Sequence, residues 1–258
     1  MSRLLSLAAG VQLDVAPVDM ATVAFQSGWP AVGIWFDGKT WTDATSREVR
    51  QRLDDTGIIP LDIEPIIPSE DGNDFAEQLI EAAAVIGARH ILFTSRLKDQ
   101  ARTTDRYREV CAMAQPHGIT VVCEFLPIFP LNTLSMATEI VRSSDASNGG
   151  VLIDNLHLSR SGASVEDVRT MPTGLFPYLQ ICDAPAQRPA DFGGLLDEAL
   201  NGRLCPGEGS LPIAELLQAV PNVPLSFEVR SKFLRDISDP VDRAKHLLKF
   251  AQQTCGDL

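Results

Sequence analysis

The sequence predicts an α/β fold, a single (β/α)8 barrel over residues 1–258, and three observations carry that expectation. Eight short runs rich in Val, Ile, Leu and Phe recur along the chain, helical segments lie between most of them, and 258 residues is an ordinary length for one barrel domain. Strand and helix alternating along a whole chain imply parallel strands joined by outer helices. An open doubly wound sheet is the competing arrangement. No G-x-G-x-x-G turn follows any strand and no P-loop sequence is present, so the dinucleotide and phosphate signatures of such a sheet are missing.

The elements follow in order. The first strand is LLSLA, residues 4–8; Arg3 and the apolar run faintly imitate a secretion signal, but the run is short and passes into QLDVAPVDM without a processing site. The second is AVGIWF (31–36), followed by the helix SREVRQRLDD (46–55). IPLDIEPII (59–67) precedes the helix DFAEQLIEAAAVIG (74–87), which Gly87 stops. RHILFTS (89–95) precedes the helix DRYREVCAMAQPHG (105–118). ITVVCEF (119–125) precedes the helix NTLSMATEIVRSS (132–144), and GVLIDNL (150–156) the helix SVEDVRTM (164–171). PYLQICD (177–183) is the seventh strand, LPIAELLQAV (211–220) its helix, and VPLSFEV (223–229) the eighth strand. The last helix, DPVDRAKHLLKFAQQ (239–253), has Asp239 as N-cap, Pro240 at its first position and Asp242 at its third. Residues 184–210 read as the longest irregular stretch, a long βα loop that a barrel can use as a lid.

Charge and cysteine usage remove several function classes. Lys and Arg total 22 against 34 Asp and Glu, a formal net charge of −12, and no segment gathers basic residues into a stripe that could track phosphates. Nucleic acid is not an expected partner. The five cysteines, 111, 123, 182, 205 and 255, are scattered without a C-x-x-C pair, which fits reduced thiols and a cytoplasmic location rather than disulfides or a zinc finger. No run approaches the roughly 18 unbroken apolar residues that span a membrane.

In a barrel of this kind the chemistry sits where strands end. Those ends carry Glu64 after the third strand, Glu124 on the fifth, Asp154 on the sixth, Gln180 and Asp183 on the seventh and Glu228 on the eighth. Each of the last four strands runs apolar into an oxygen donor, in VVCE, VLID, PYLQ and LSFE. Buried and unpaired, such carboxylates would cost several kcal/mol or take up protons, whereas one divalent cation would neutralise them together. Glu124, Asp154, Gln180 and Glu228 form a hard ligand set without cysteine, which suits Mn²⁺ or Mg²⁺ better than zinc.

In the order and spacing of these motifs the chain resembles the xylose isomerase-like TIM barrels, a family that includes sugar epimerases, hydroxypyruvate isomerase, inosose dehydratase and endonuclease IV. The resemblance covers the whole chain in rhythm and about 119–231 in motif. Isomerases and epimerases of that family hold one metal with a Glu on strand 5, an Asp in D-x-x-H on strand 6, a His or Gln on strand 7 and a Glu on strand 8. Glu124, Asp154 in DNLH, Gln180 in QICDAP and Glu228 in FEVRS fill those places, and PGEGSLPI (206–213) resembles the loop into the family's seventh helix. Gln180 departs from the commoner His and matches hydroxypyruvate isomerase, although that enzyme's compact loop does not match the long stretch here.

The resemblance implies an isomerase or epimerase of carbohydrate metabolism acting on a small hydroxycarbonyl substrate. A metal, manganese foremost, acts as Lewis acid, Glu124 and Glu228 exchange the proton through an enediolate, and His157 contacts a substrate oxygen. Loss of a β-hydroxyl from the same enediolate gives a dehydratase instead. His157 lies three residues beyond Asp154, so the chain must turn between them; it serves either the substrate or merely the loop, as a cap. The family's barrels often form dimers or tetramers, so a homo-oligomer is compatible. An endonuclease-like reading lacks the histidines for a zinc cluster, with four in the chain, and lacks a basic face. A non-catalytic metal-binding barrel is the remaining rival.

Further candidates carry paired readings. Asp183 either supports the site or caps the loop after it, and Glu64 either reaches the mouth or is a surface charge. Arg188, Arg203 and Arg230 are placed to bind a carboxylate or phosphate; Arg188 is preferred because related epimerases carry an arginine shortly after the strand 7 ligand. Trp35, Phe125 and Phe129 either form an apolar wall for a ring-bearing substrate or pack beneath the loops as core.

Overall fold

The computed structural model describes residues 3–256. Eight parallel strands close on themselves in chain order: β1 (Leu5–Leu7), β2 (Ala31–Trp35), β3 (Ile59–Ile66), β4 (His90–Phe93), β5 (Thr120–Glu124), β6 (Gly149–Asp154), β7 (Leu179–Ile181) and β8 (Leu225–Phe227). Closure is made by β8 on β1, with Ser6 beside Ser226 and Leu7 beside Phe227. Around them run α1 (Met20–Ser27), α2 (Asp43–Thr56), α3 (Ala76–Ile86), α4 (Gln100–Ala114), α5 (Leu134–Ser144), α6 (Asn155–Arg160), α7 (Val165–Arg169), α8 (Phe192–Asn201), α9 (Ile213–Ala219), α10 (Lys232–Arg235) and α11 (Pro240–Gly256). Among the described residues no helix is long and apolar enough to cross a membrane.

Local chemistry sets the boundaries. Thr42, Asp99 and Thr133 cap α2, α4 and α5 through side-chain acceptors, and α2 and α3 end on Gly57 and Gly87 in the left-handed region. Asp239 caps α11 by accepting from the amides of Val241 and Asp242, as the sequence predicts. One helix goes unread in the sequence, and one expectation needs correction. Residues between β1 and β2 include the helix α1, whose short apolar stretch lacks a polar start signal; its Asp19 N-cap makes no side-chain bond. The stretch 184–210 is not irregular throughout: Asp191 accepts from the Gly194 amide and starts the ten-residue α8.

The barrel interior has two layers. Ala31, Leu61, Leu92, Val122, Leu152 and Tyr178 form a small apolar cluster separate from the main core between strands and helices. Because side chains alternate along a strand, Glu124, Asp154 and Gln180 sit two residues above Val122, Leu152 and Tyr178 on the same inward face. The apolar plug thus supports a polar floor at the C-terminal end of the barrel.

Candidate active site

The DNLH stretch shows how the sequence builds the floor. Strand β6 ends at Asp154 and passes directly into α6, with the Asp154 Oδ1 accepting from the amides of Leu156 (2.8 Å) and His157 (3.2 Å). One carboxylate therefore ends a strand and caps a helix, and the turn carries the His157 ring back over the barrel. Asn155 locks this turn to the end of β7: its Nδ2 donates to the Cys182 carbonyl (2.7 Å) and its Oδ1 accepts from the Cys182 amide (2.9 Å).

Arg203 occupies the centre. Its Nη1 donates to Asp154 Oδ2 and to the Glu228 carbonyl (3.1 Å), and pairs with Glu228 Oε2 at 3.1 Å. Its Nη2 lies 3.4 Å from His157 Nε2. A guanidinium only donates, so this contact calls for an unprotonated Nε2 and places the ring proton on Nδ1. Burial holds the His157 pKa down at about 4, which keeps the imidazole neutral near pH 7.

The carboxylates around Arg203 outnumber it. Glu124, Asp154, Glu228, Glu64 and Asp62 are all buried. Burial, then the charges of Asp154 and Glu228, pushes the Glu124 carboxyl well above its ordinary range; burial with Asp62, Glu228 and Glu124 does the same to Glu64. Burial also raises Glu228, against the pull of Arg203. Asp154 differs: burial works against its charge, but Arg203 and His157 outweigh that and hold it below the usual range. Beneath them Asp62 accepts from the Tyr178 hydroxyl at 3.1 Å and is raised to about 7, chiefly by burial.

Glu124, Asp154 and His157 present ligand atoms that all lie within 4.8 Å of one another. Gln180, next to Asp154 in register, is buried with both amide atoms unpartnered. A set of oxygen donors with one imidazole, in a pocket of surplus negative charge, fits a divalent cation. Of the four ligands expected from sequence, two stand in this cluster; His157 joins them, and Glu228 turns to Arg203.

Above the floor opens a cavity of about 300 Å³ lined by Glu64, Glu124, His157, Gln180, Arg203 and Glu228 below, and walled by Trp35, Ile67, Leu126, Ile128 and Phe129. Helix α8 closes one side with Leu196 and Leu200. It is clamped there by Arg160, which pairs bidentately with Glu198 (2.7 and 2.8 Å) and donates to the Pro185 carbonyl (2.7 Å). Trp35 thus reaches the cavity, whereas Phe125 is fully buried in the core and does not line it. Arg188 is also not brought in: it is exposed, its Nε donating to the Arg160 carbonyl (2.9 Å), because α8 carries the chain past it and delivers Arg203 instead. Asp183 is a loop anchor, its carboxylate accepting from the amides of Ala184, Gly207, Gly209 and Leu211.

Sequence reasoning missed Asp62 as a site neighbour and left Glu64 open between two readings. The signal was present: in the buried strand β3 the two acids are two residues apart, hence on one face. The inward role of Arg203 had no local signal, since it depends on where α8 ends.

The family model described as xylose isomerase-like TIM barrel matches residues 21–253. An inosose isomerase from Bacillus licheniformis is 24% identical over 167 residues, 61% of this chain, and the match spans only 58% of that relative's length. A 3-dehydroshikimate dehydratase from Pseudomonas aeruginosa is 24% identical over 249 residues, 88% of this chain and 39% of that longer protein. The crystal structure of the IolI protein with a bound zinc atom shares the fold, with a TM-score of 0.85 at 18% identity, covering 100% of this chain and 99% of that one.

Proposed function

Because this chain belongs to the xylose isomerase-like TIM barrel family, we propose that it is a divalent-metal-dependent isomerase or epimerase of a hydroxycarbonyl compound. The observation that carries this reading is the cluster of Glu124, Asp154 and His157 beside Gln180 and Glu228, buried on the floor of a cavity at the C-terminal end of the barrel. Glu124 and Asp154 would hold the cation, with the Gln180 amide as a further donor, and His157 would join them by turning its Nε2 lone pair from Arg203 to the ion, which leaves its Nδ1–H to donate. When bound, the cation supplies Lewis-acid polarisation of the substrate carbonyl.

The chain's own groups do the rest. Glu124 on β5 and Glu228 on β8 are three strands apart around the barrel, so they can address a substrate carbon from different sides, one removing its proton and the other returning it. Arg203 balances Glu228 and positions His157, whose neutral ring offers a hydrogen bond to a substrate oxygen. The apolar wall excludes water and suits a substrate with a ring or other apolar portion. That wall, with the dehydratase relative that matches 88% of this chain, favours one second reading, loss of a β-hydroxyl after the same proton abstraction.

The test is metal content by inductively coupled plasma mass spectrometry, wild type beside Glu124→Gln and Asp154→Asn, followed by substrate-proton exchange in deuterated buffer. Stoichiometric divalent metal, lost in both variants together with exchange, is expected. His157 in the cluster admits zinc as well as Mn²⁺ or Mg²⁺, and the same measurement identifies the ion. Wild-type protein that stays empty after Mn²⁺ reconstitution would overturn the proposal.

A further inference from the structure

Two arginines line the cavity outside the carboxylate floor, and neither has an anionic partner. Arg96 and Arg230 make no side-chain hydrogen bond or ion pair among the described residues, and the Arg230 Nε is buried without any partner. Arg96 is exposed and Arg230 half-buried, so the missing partner weighs on Arg230; the fully buried arginines all pair with acids, Arg160 with Glu198, Arg203 with Asp154 and Glu228, and Arg243 with Asp14. In a chain of net charge −12, acids to pair with are plentiful. Leaving a half-buried guanidinium donor unsatisfied costs free energy that an incoming anion recovers.

Placement adds to this. The Arg96 guanidinium lies 4.8 Å above the Phe129 ring, which holds it at the cavity wall with its donor edge free. Arg230 follows Glu228 by two residues and so lies above the proton-exchanging carboxylate. Glu228 and, more weakly, Glu64 are the acids whose charges act on Arg230, yet no contact within ion-pair distance joins either to it, and Glu64 Oε1 is itself unpartnered.

We propose that the hydroxycarbonyl substrate carries a carboxylate, received by Arg230, while its carbon frame lies against Trp35, Leu126 and Phe129 on the far wall, where Arg96 stacks. This deepens the isomerase reading and rests on it. A carboxylate fits better than a phosphate ester. Barrels commonly seat phosphate on backbone amides of the loops after strands 7 and 8, and the loop after β7 has given Gly207, Gly209 and Leu211 to the Asp183 carboxylate. What remains for an anion is side-chain guanidinium, whose planar fork matches a carboxylate.

The test is isothermal titration calorimetry of the full chain, metal-free and Mn²⁺-loaded, with 4-oxocyclohexanecarboxylate, its neutral ethyl ester and cyclohexyl phosphate. The acid should bind at least about tenfold more tightly than the ester, the scale of one charge-assisted bidentate contact. Arg230→Met should bring that preference close to unity, and Arg96→Met, four strands away around the barrel, should leave most of it. Equal binding of acid and ester, no binding of the acid, a preference that survives Arg230→Met, or tighter binding of the phosphate ester would each overturn the assignment. The acid–ester comparison needs no variant to fold. Proton exchange without a carboxylate preference removes this inference alone; a preference without exchange removes the isomerase reading alone.

Discussion

Two buried arginine centres meet the C-terminal half of one helix, and they are built differently. Arg160, on α6, meets one carboxylate, Glu198, through Nε and Nη2, and a carbonyl and a hydroxyl take two of the three remaining donors. After α8, Arg203 touches Asp154 and Glu228 and has Glu124, Glu64 and Asp62 buried around it. The first centre is balanced in charge and nearly closed in hydrogen bonds, as a structural clasp should be. The second has more acid than base and leaves Gln180 and Glu64 atoms unpartnered. The difference teaches where a cation belongs: a fold tolerates buried charge in matched pairs, and unmatched acid marks a place that something else completes.

Removing one charge from each centre breaks the comparison most sharply, because the signs should be opposite. Arg160→Met leaves Glu198 buried and unpaired, and should cost about 3–5 kcal/mol of unfolding free energy. Glu124→Gln removes surplus negative charge and should stabilise the metal-free protein while abolishing metal binding. Urea unfolding of both variants without metal checks this. Destabilisation by both would mean that the Arg203 centre is as closed as the other.

Gly10 sharpens the same contrast at smaller scale. A Cβ at this position would stand 2.2 Å from the Glu228 Oε1, so Gly10→Ala must push that carboxylate aside. The displaced group is the end of a flexible side chain, so stability should fall by only about 1 kcal/mol. Misplacing a proton-transfer group by about an ångström costs far more in rate, roughly 100-fold in proton exchange. A variant that melts like wild type and exchanges at the wild-type rate would remove Glu228 from the proposed pair.

The fold was largely legible because each of its signals is local. Apolar runs, Gly87 as a helix stop and Asp239 with Pro240 as a helix start are all set by neighbouring residues. The ends of β5 to β8 were legible for the same reason, since a strand that runs apolar into Glu124 or Asp154 announces an inward acid. Arg203, Arg160 and the wall formed by α8 were not. Their positions follow from a helix capped by one aspartate inside a polar, glycine-containing stretch and pinned by an ion pair 38 residues apart in sequence. Phe125 reads like Trp35 in the sequence, and only the twist of the chain after β5 decides that one lies under the loop and the other on the cavity wall.

The smallest expected effect is a slope of stability with pH that arises in the acid-rich centre. Asp62 has its pKa raised from 3.8 to about 7, mostly by burial. Between those values the folded protein holds a proton on Asp62 that the unfolded chain releases. Stability from this group is therefore complete below about 4 and falls as pH rises towards about 7. One proton bounds the slope at about 1.4 kcal/mol per pH unit. Glu64, Glu124 and Glu228 are shifted the same way and steepen the total, whereas Asp154 is lowered and opposes them. Asp62→Asn should therefore flatten the dependence of the metal-free urea midpoint on pH without abolishing it. Equal slopes in wild type and Asp62→Asn would show that Asp62 stays ionised in the folded protein, with the Tyr178 hydroxyl bond outweighing the cost of its burial.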